Sequence, residues 1–157
     1  MTWRKKMDRE EFDQKCSSLD DEALVYWLQQ YTMDEDLIDV IPYADAEIKN
    51  GGLFQYYGNG SFEAEQHIKF LELIGANEHA EIIRQSLARF PGGTQPIRTD
   101  EDPDEHHEAV AELIGGTKAF YDLDDRYFAL PETLEESIQR YVRQHLDFYF
   151  DEYFKDE

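Results

Sequence analysis

The sequence predicts an all-α protein, a single compact irregular bundle of about six to eight helices. Apolar residues recur at i, i+3, i+4 and i+7, as in Leu24, Trp27, Leu28 and Tyr31. No segment shows the sustained alternation between hairpin turns that a half-buried strand needs. Acidic or hydroxyl residues open the periodic runs, and Gly or Pro closes them. The chain has 157 residues, the size of one domain, and its ten Phe, ten Tyr and two Trp offer enough apolar surface to offset the entropy of ordering. One domain over residues 1–157 is expected, with residues 1–7 a flexible basic segment.

Asp8 to Leu19 reads as a first short helix. Asp20-Asp21-Glu22 then supplies a cap and a negative first turn for the helix carrying the Leu24 to Tyr31 stripe. Asp34-Glu35-Asp36 opens a third in the same way, with Leu37, Ile38, Ile41, Ala44 and Ile48 on its inner side. Pro42 predicts a kink or break in it, and Asn50-Gly51-Gly52 a stop. Leu53 to Tyr57 is a short aromatic segment closed by Gly58-Asn59-Gly60. Ser61 is expected to cap a helix bearing Phe62, Ile68, Leu71 and Ile74 that ends at Gly75. Asn77 starts the next, with Ile82, Ile83, Leu87 and Phe90 inside and Pro91-Gly92-Gly93 as its end. A long loop follows over residues 92–103. A helix from about Asp104 to Leu113, a Tyr- and Asp-rich stretch through Phe128, and a last helix from Pro131 to about Tyr153 complete the chain. Thr133 to Glu136 fits a capping box, and Leu134, Ile138, Tyr141, Val142, His145, Leu146 and Tyr149 run down one side. Phe148, Tyr149, Phe150, Tyr153 and Phe154 are more aromatic surface than one helix face requires, which fits a wrapped core and a subunit contact equally.

Charge sets this chain apart. It holds 36 acids against 15 bases, a formal net charge of −21, and five of the bases (Arg4, Lys5, Lys6, Arg9, Lys15) lie in the first fifteen positions. From Cys16 to Ile48 there are nine acids and no Lys or Arg; from Thr99 to Glu136, thirteen acids face Lys118 and Arg126 alone. Such a surface repels nucleic acid and anionic lipid and attracts basic proteins or cations, so direct nucleic-acid and membrane binding are not expected. The single Cys16 can form neither an internal disulfide nor a multi-thiol zinc site, and no stretch approaches the roughly 18 apolar residues of a membrane span. A cytoplasmic protein is expected.

Catalytic constellations are weak. Cys16 follows Lys15 on a short amphipathic helix with no nucleophile signature around it, and no Lys-Ser/Thr follows the Gly51-Gly52 or Gly58-Asn59-Gly60 turns. Asp100-Glu101-Asp102-Pro103-Asp104 resembles the start of a calcium loop, but Glu105 stands where the turn needs Gly, and Ala111 where the bidentate Glu belongs, with Glu112 one residue late. His106 and His107 are adjacent, so on a helix they point about 100° apart and rarely ligate together. No catalytic residue, resident metal or cofactor is expected.

The acid runs admit a more specific reading. Acids three or four residues apart on a helix stand about 5 to 6 Å apart, against one charge per about 3.4 Å along a DNA strand. One helix is too sparse by that spacing, but neighbouring acidic helix ends approach duplex density. Candidate partner-binding residues are Asp20, Asp21, Glu22, Asp34, Glu35, Asp36 and Asp39, then Asp100, Asp102, Asp104, Glu105 and Glu108.

The run Glu47-Ile48-Lys49-Asn50-Gly51-Gly52-Leu53-Phe54-Gln55-Tyr56-Tyr57-Gly58-Asn59 resembles the signature of the DNA mimic protein 19 family. Leu71-Glu72-Leu73-Ile74-Gly75-Ala76 and Leu123-Asp124-Asp125-Arg126-Tyr127-Phe128 are similar to that family as well, so the likeness runs from about Asp34 to Phe150. It implies a helical, often dimeric bacterial protein that occupies the DNA-binding surface of a transcriptional regulator. The motif residues Asn50, Gly51, Gly52, Gln55 and Asn59 identify the fold, with Asn50, Gln55 and Asn59 expected to satisfy buried backbone groups at a helix junction. Two alternatives stand beside the expectation of a basic DNA-binding partner. One is a cation- or small-molecule-binding module, a hydrolase among the options, with its site beside the Asn50 to Asn59 junction; the other is an immunity protein that neutralises a basic toxin.

Overall fold

The computed structural model describes residues 6–98, 102–131 and 133–156. Among them are nine α-helices and no strand: α1 (Arg9–Ser18), α2 (Asp21–Gln29), α3 (Leu37–Asn59), α4 (Ala64–Leu73), α5 (Asn77–Leu87), α6 (Pro103–Ile114), α7 (Tyr121–Phe128), α8 (Leu134–Gln144) and α9 (Leu146–Tyr153). The chain is all-α. Its contacts gather into two compact units, Met1–Asp39 with Thr133–Glu157, and Val40–Glu132.

Aspartates start several helices, Asp8 and Asp20 where the sequence predicts a start and Asp102 inside the loop expected over residues 92–103. Asp8 Oδ1 accepts from Glu11 N and Asp20 Oδ1 from Ala23 N, each at 2.8 Å, and Asp102 Oδ1 accepts from Asp104 N at 2.9 Å. Elsewhere capping departs from expectation. Ser61 lies outside α4, whose first amide, Ala64 N, is taken by Gln95 Oε1 at 2.8 Å instead. Thr133 occupies the cap position of α8 but makes no side-chain cap bond.

Pro42 does not break α3. A proline removes the amide that would bond the carbonyl four residues back, here that of Ile38. Gln29 Nε2 donates to Ile38 O at 2.9 Å and supplies the missing partner. The break falls at Gly51 (φ −144°, ψ 16°) and Gly52 (φ 75°, ψ −175°), after which the aromatic segment resumes as helix to Asn59. The single helix expected from Pro131 to Tyr153 is two, which raises the count above the six to eight predicted. His145 leaves helical geometry (φ −125°, ψ 31°), and its Nδ1 donates to Tyr141 O at 2.7 Å, occupying a carbonyl that a continuing helix would have bonded.

In the first unit, α2 packs on α8 and α8 on α9. Phe12, Leu24, Leu28, Ile38, Val142, Tyr149 and Phe154 are wholly enclosed. Trp27 stacks on Phe154 with centroids 5.2 Å apart, and Phe12 touches both Phe150 and Phe154. The C-terminal aromatic cluster is therefore mostly core, with only Phe148 of its members exposed. Arg143 links three elements: its guanidinium donates to Cys16 O and Leu19 O at the end of α1 and pairs with Asp21 at the start of α2. Residues 1–5 of the expected flexible segment lie outside the described residues. Lys6 pairs with Asp156, and Met7 N donates to Phe154 O at 3.1 Å.

The second unit packs α4 on α5 and α5 on α7. Tyr57, without exposed surface, sits against Phe90 and Phe120, and its hydroxyl bonds Ser86 Oγ at 2.6 Å. No helix among the described residues is long and apolar enough to cross a membrane.

Candidate functional site

The break in α3 sets the course of the segment on which α6 docks. After the turn at Gly52, the second segment of α3 begins with Leu53, whose amide is buried. Asp124 of α7 reaches it, Oδ1 accepting from Leu53 N at 2.8 Å. Asp124 is itself buried, and that burial raises its pKa while the Leu53 bond pulls the other way. Only glycine fits at 52: φ is positive, and a Cβ there would stand 2.6 Å from Asp124 Oδ2.

The motif amides do not serve backbone groups as expected. Their side chains bond one another and Glu47: Asn59 Nδ2 donates to Glu47 Oε2 at 2.5 Å, Gln55 Nε2 to the same oxygen at 3.3 Å, and Asn50 Nδ2 to Gln55 Oε1 at 3.4 Å. The buried amide at the break goes to Asp124, a residue that spacing within the motif does not point to.

Two histidines dock α6 on the far end of α3. His106 Nε2 donates to Tyr57 O and His107 Nε2 to Asn59 Oδ1, each at 3.0 Å. Gly58 permits this approach, since a Cβ there would lie 2.3 Å from His107 Nδ1. With His106 and Val110 buried, the opposite side of α6 carries Asp104, Glu105, Glu108 and Glu112, all exposed. At about 100° and 1.5 Å per residue, the four fall within an arc of about 100° and along about 12 Å of axis. That is one charge per about 4 Å, close to the roughly 3.4 Å of a DNA strand, because Glu105 interleaves the i, i+4 series. The helix contains no Lys or Arg. Glu112 was not among the predicted residues; its signal is the continuation of the Asp104, Glu108 spacing.

The other candidates divide by what holds them. Asp102 caps α6 and Asp20 caps α2. Asp21 is exposed and paired with Arg143, while Glu22 is exposed in the same turn. Asp34 and Glu35 are exposed at the turn before α3. Asp36 is occupied, accepting from Tyr149 Oη at 3.2 Å, Tyr153 Oη at 2.9 Å and Ile38 N at 3.1 Å. Asp39 is half-buried and accepts from Thr32 Oγ1 at 2.5 Å. Burial above all, with the charges of Asp36, Asp34 and Glu35, pushes its pKa up to about 6. Asp100 lies outside the described residues. The Asp20 to Asp39 candidates belong to the first unit and the α6 acids to the second.

Among the described residues no group of three or more His, Cys, Asp or Glu could hold a metal ion. Cys16 is buried, and burial pushes its thiol up to about 11. A second buried polar group lies in the core of the second unit, where Tyr127 Oη donates to Asp45 Oδ1 at 2.5 Å and Tyr56 Oη bonds His67 Nδ1 at 3.0 Å.

No curated protein and no solved structure matches the chain. The family model described as DMP19-like protein matches residues 29–145, a span that holds the α3 junction, its Asp124 clasp and the α6 acids, and the chain belongs to that family.

Proposed function

We propose that this chain is a DNA mimic, a binding protein and not an enzyme, whose carboxylates take the place of phosphates on a basic DNA-binding protein such as a transcriptional regulator. The observation that carries the reading is the outer face of α6. Asp104, Glu105, Glu108 and Glu112 are exposed, uninterrupted by any base, and close to the linear charge density of a nucleic-acid strand. Packing like charges this densely costs stability, and solubility alone is served as well by dispersed acids. Membership of a family named for a DNA mimic supports the same reading. Within the first unit the exposed acids Glu22, Asp34 and Glu35 are secondary contacts, whereas Asp36 and Asp39 are engaged by Tyr149, Tyr153 and Thr32 and act as scaffold.

The test is affinity capture from a bacterial lysate with the whole chain, followed by competition with duplex DNA. A basic DNA-binding protein should be retained, released by salt and displaced by duplex. The variant carrying Asp104→Asn, Glu105→Gln, Glu108→Gln and Glu112→Gln should lose it. Capture of neutral proteins only, or retention indifferent to salt and duplex, rejects the proposal. If the captured protein is a toxin, the same surface serves an immunity role; the partner's identity separates the two.

A further inference from the structure

A cleft of roughly 550 Å³ opens in the second unit beside the end of α3, between the segment around Phe62 and the loop around Pro96. Its walls are stitched together. Gln95 accepts from Ala64 N through Oε1 and donates to Phe62 O through Nε2, each at 2.8 Å, and Arg98 Nη1 donates to Asn59 O at 2.6 Å. The cleft is thus formed in advance and falls in the usual size range for small-molecule sites.

Two features of its lining bear on what it could hold. Ile97 is 89 % exposed, more than any other large apolar side chain among the described residues. Arg98, like Arg126 and Arg140, forms no ion pair among the described residues, whereas Arg9, Arg84, Arg89 and Arg143 each do. Its Nε is screened from solvent and has no acceptor. The Nε–Nη2 edge, the one a carboxylate grips in a two-point pair, therefore keeps an unmet donor below the surface, which a ligand reaches once the side chain turns toward the cleft. Glu63 and Glu65 line the same cleft and are exposed, so a doubly charged anion meets repulsion there.

We propose that this cleft binds a small monocarboxylate with an apolar body, its carboxylate on Arg98 and its body against Phe62, Pro96 and Ile97. The site is independent of the α6 acids, and its test does not involve a protein partner.

Three phenyl-bearing probes with different heads decide the matter by calorimetry and amide chemical shifts on the whole chain: 3-phenylpropanoate, 3-phenylpropanamide and 2-phenylethyl phosphate. The carboxylate should saturate, shifting amides near Phe62 and Pro96, with the amide probe about tenfold weaker. The doubly charged 2-phenylethyl phosphate should bind more weakly than the carboxylate. Arg98→Gln should bind carboxylate and amide alike. Ile97→Asp, at a position open enough to leave the fold intact, should weaken both. Equal affinity of the native chain for carboxylate and amide, no saturation by any probe, or an undiminished carboxylate preference in Arg98→Gln overturns the proposal.

Discussion

Asp124 caps a helix to which it does not belong: its carboxylate accepts the amide of Leu53, 71 positions earlier, at the point where α3 restarts after Gly52. Removing the acceptor leaves a buried N–H unpaired, which costs about 1 to 3 kcal/mol. Asp124→Ala should lower stability by that amount in urea unfolding, and Asp124→Asn, which keeps an amide oxygen in place, by less. Gly52→Ala combines a backbone conformation reserved for glycine with a Cβ pressed on Asp124 and should cost at least as much as Asp124→Ala. Equal stability of all three variants with the native chain would contradict the clasp.

The Gln29 bond to Ile38 O has value only because Pro42 withholds an amide from that carbonyl. A double-mutant cycle isolates the dependence. Gln29→Ala should cost about 1 kcal/mol in the native background. In a Pro42→Ala background the regained amide competes for the same carbonyl, and the cost should fall below about half of that. Additive effects would mean that Gln29 stabilises through packing alone.

These two relationships show where sequence reading reaches and where it stops. Helix starts at Asp8 and Asp20 are legible because the cap, its acceptor atom and the amides it serves lie within three residues. The Pro42 break, the Ser61 cap and the Thr133 capping box fail because a distant side chain, or none, does the bonding. Gln29 rescues the first, and Gln95, 31 positions away, replaces the second. The candidate site follows the same division. Exposed acids of α6 follow from helical spacing, and Glu112, which a calcium-loop test sets aside as one residue late, continues it. Asp36 and Asp39 have the same local sequence signature as Asp34 and Glu35, and only the tyrosines of α9 and Thr32 distinguish them.

His67 makes the second unit sensitive to acid. It is 1 % exposed, and burial lowers its pKa to about 4 from the ordinary 6.5, with Asp45 opposing the shift and His79 adding to it. The unfolded chain therefore takes the proton first. The resulting stabilisation is complete above pH 6.5 and is lost as pH falls toward 4, on the order of 3 kcal/mol across that window. His67→Gln, which can keep a bond to the Tyr56 hydroxyl, should show a flatter decline in melting temperature between pH 7 and pH 4.5. Parallel declines would place the acid sensitivity elsewhere.

Asp39 carries the opposite sign. Its folded pKa is raised to about 6, above the ordinary 3.8, so the fold favours the protonated form. That contribution is fully present below pH 3.8 and is lost as pH rises through 6. Asp39→Asn preserves an oxygen for Thr32 and removes the charge that burial penalises. The variant should melt higher than the native chain at pH 7.5, and its advantage should shrink steadily toward pH 4.5. An advantage that does not vary with pH would mean that the charge of Asp39 is not what the surroundings oppose.

Salt dependence separates a mimic from the duplex it imitates. Each phosphate contact on DNA releases condensed counterions and contributes about −0.9 to the slope of log affinity against log salt. The α6 face has a similar charge spacing but extends only about 12 Å, too short to hold the counterion layer of a long duplex. Each carboxylate contact should therefore contribute less than a phosphate. For a captured partner, the native chain should show a negative slope shallower than that of the partner's own DNA complex. Neutralising Asp104, Glu105, Glu108 and Glu112 should flatten it by a total between about 1 and 3.5, less than four phosphates would contribute. The affinities of native and neutralised chains should converge as salt rises, because screening removes the same interaction that the substitutions remove. Titrations from low to high salt that leave the two slopes equal would show that α6 does not touch the partner, whatever else the chain binds.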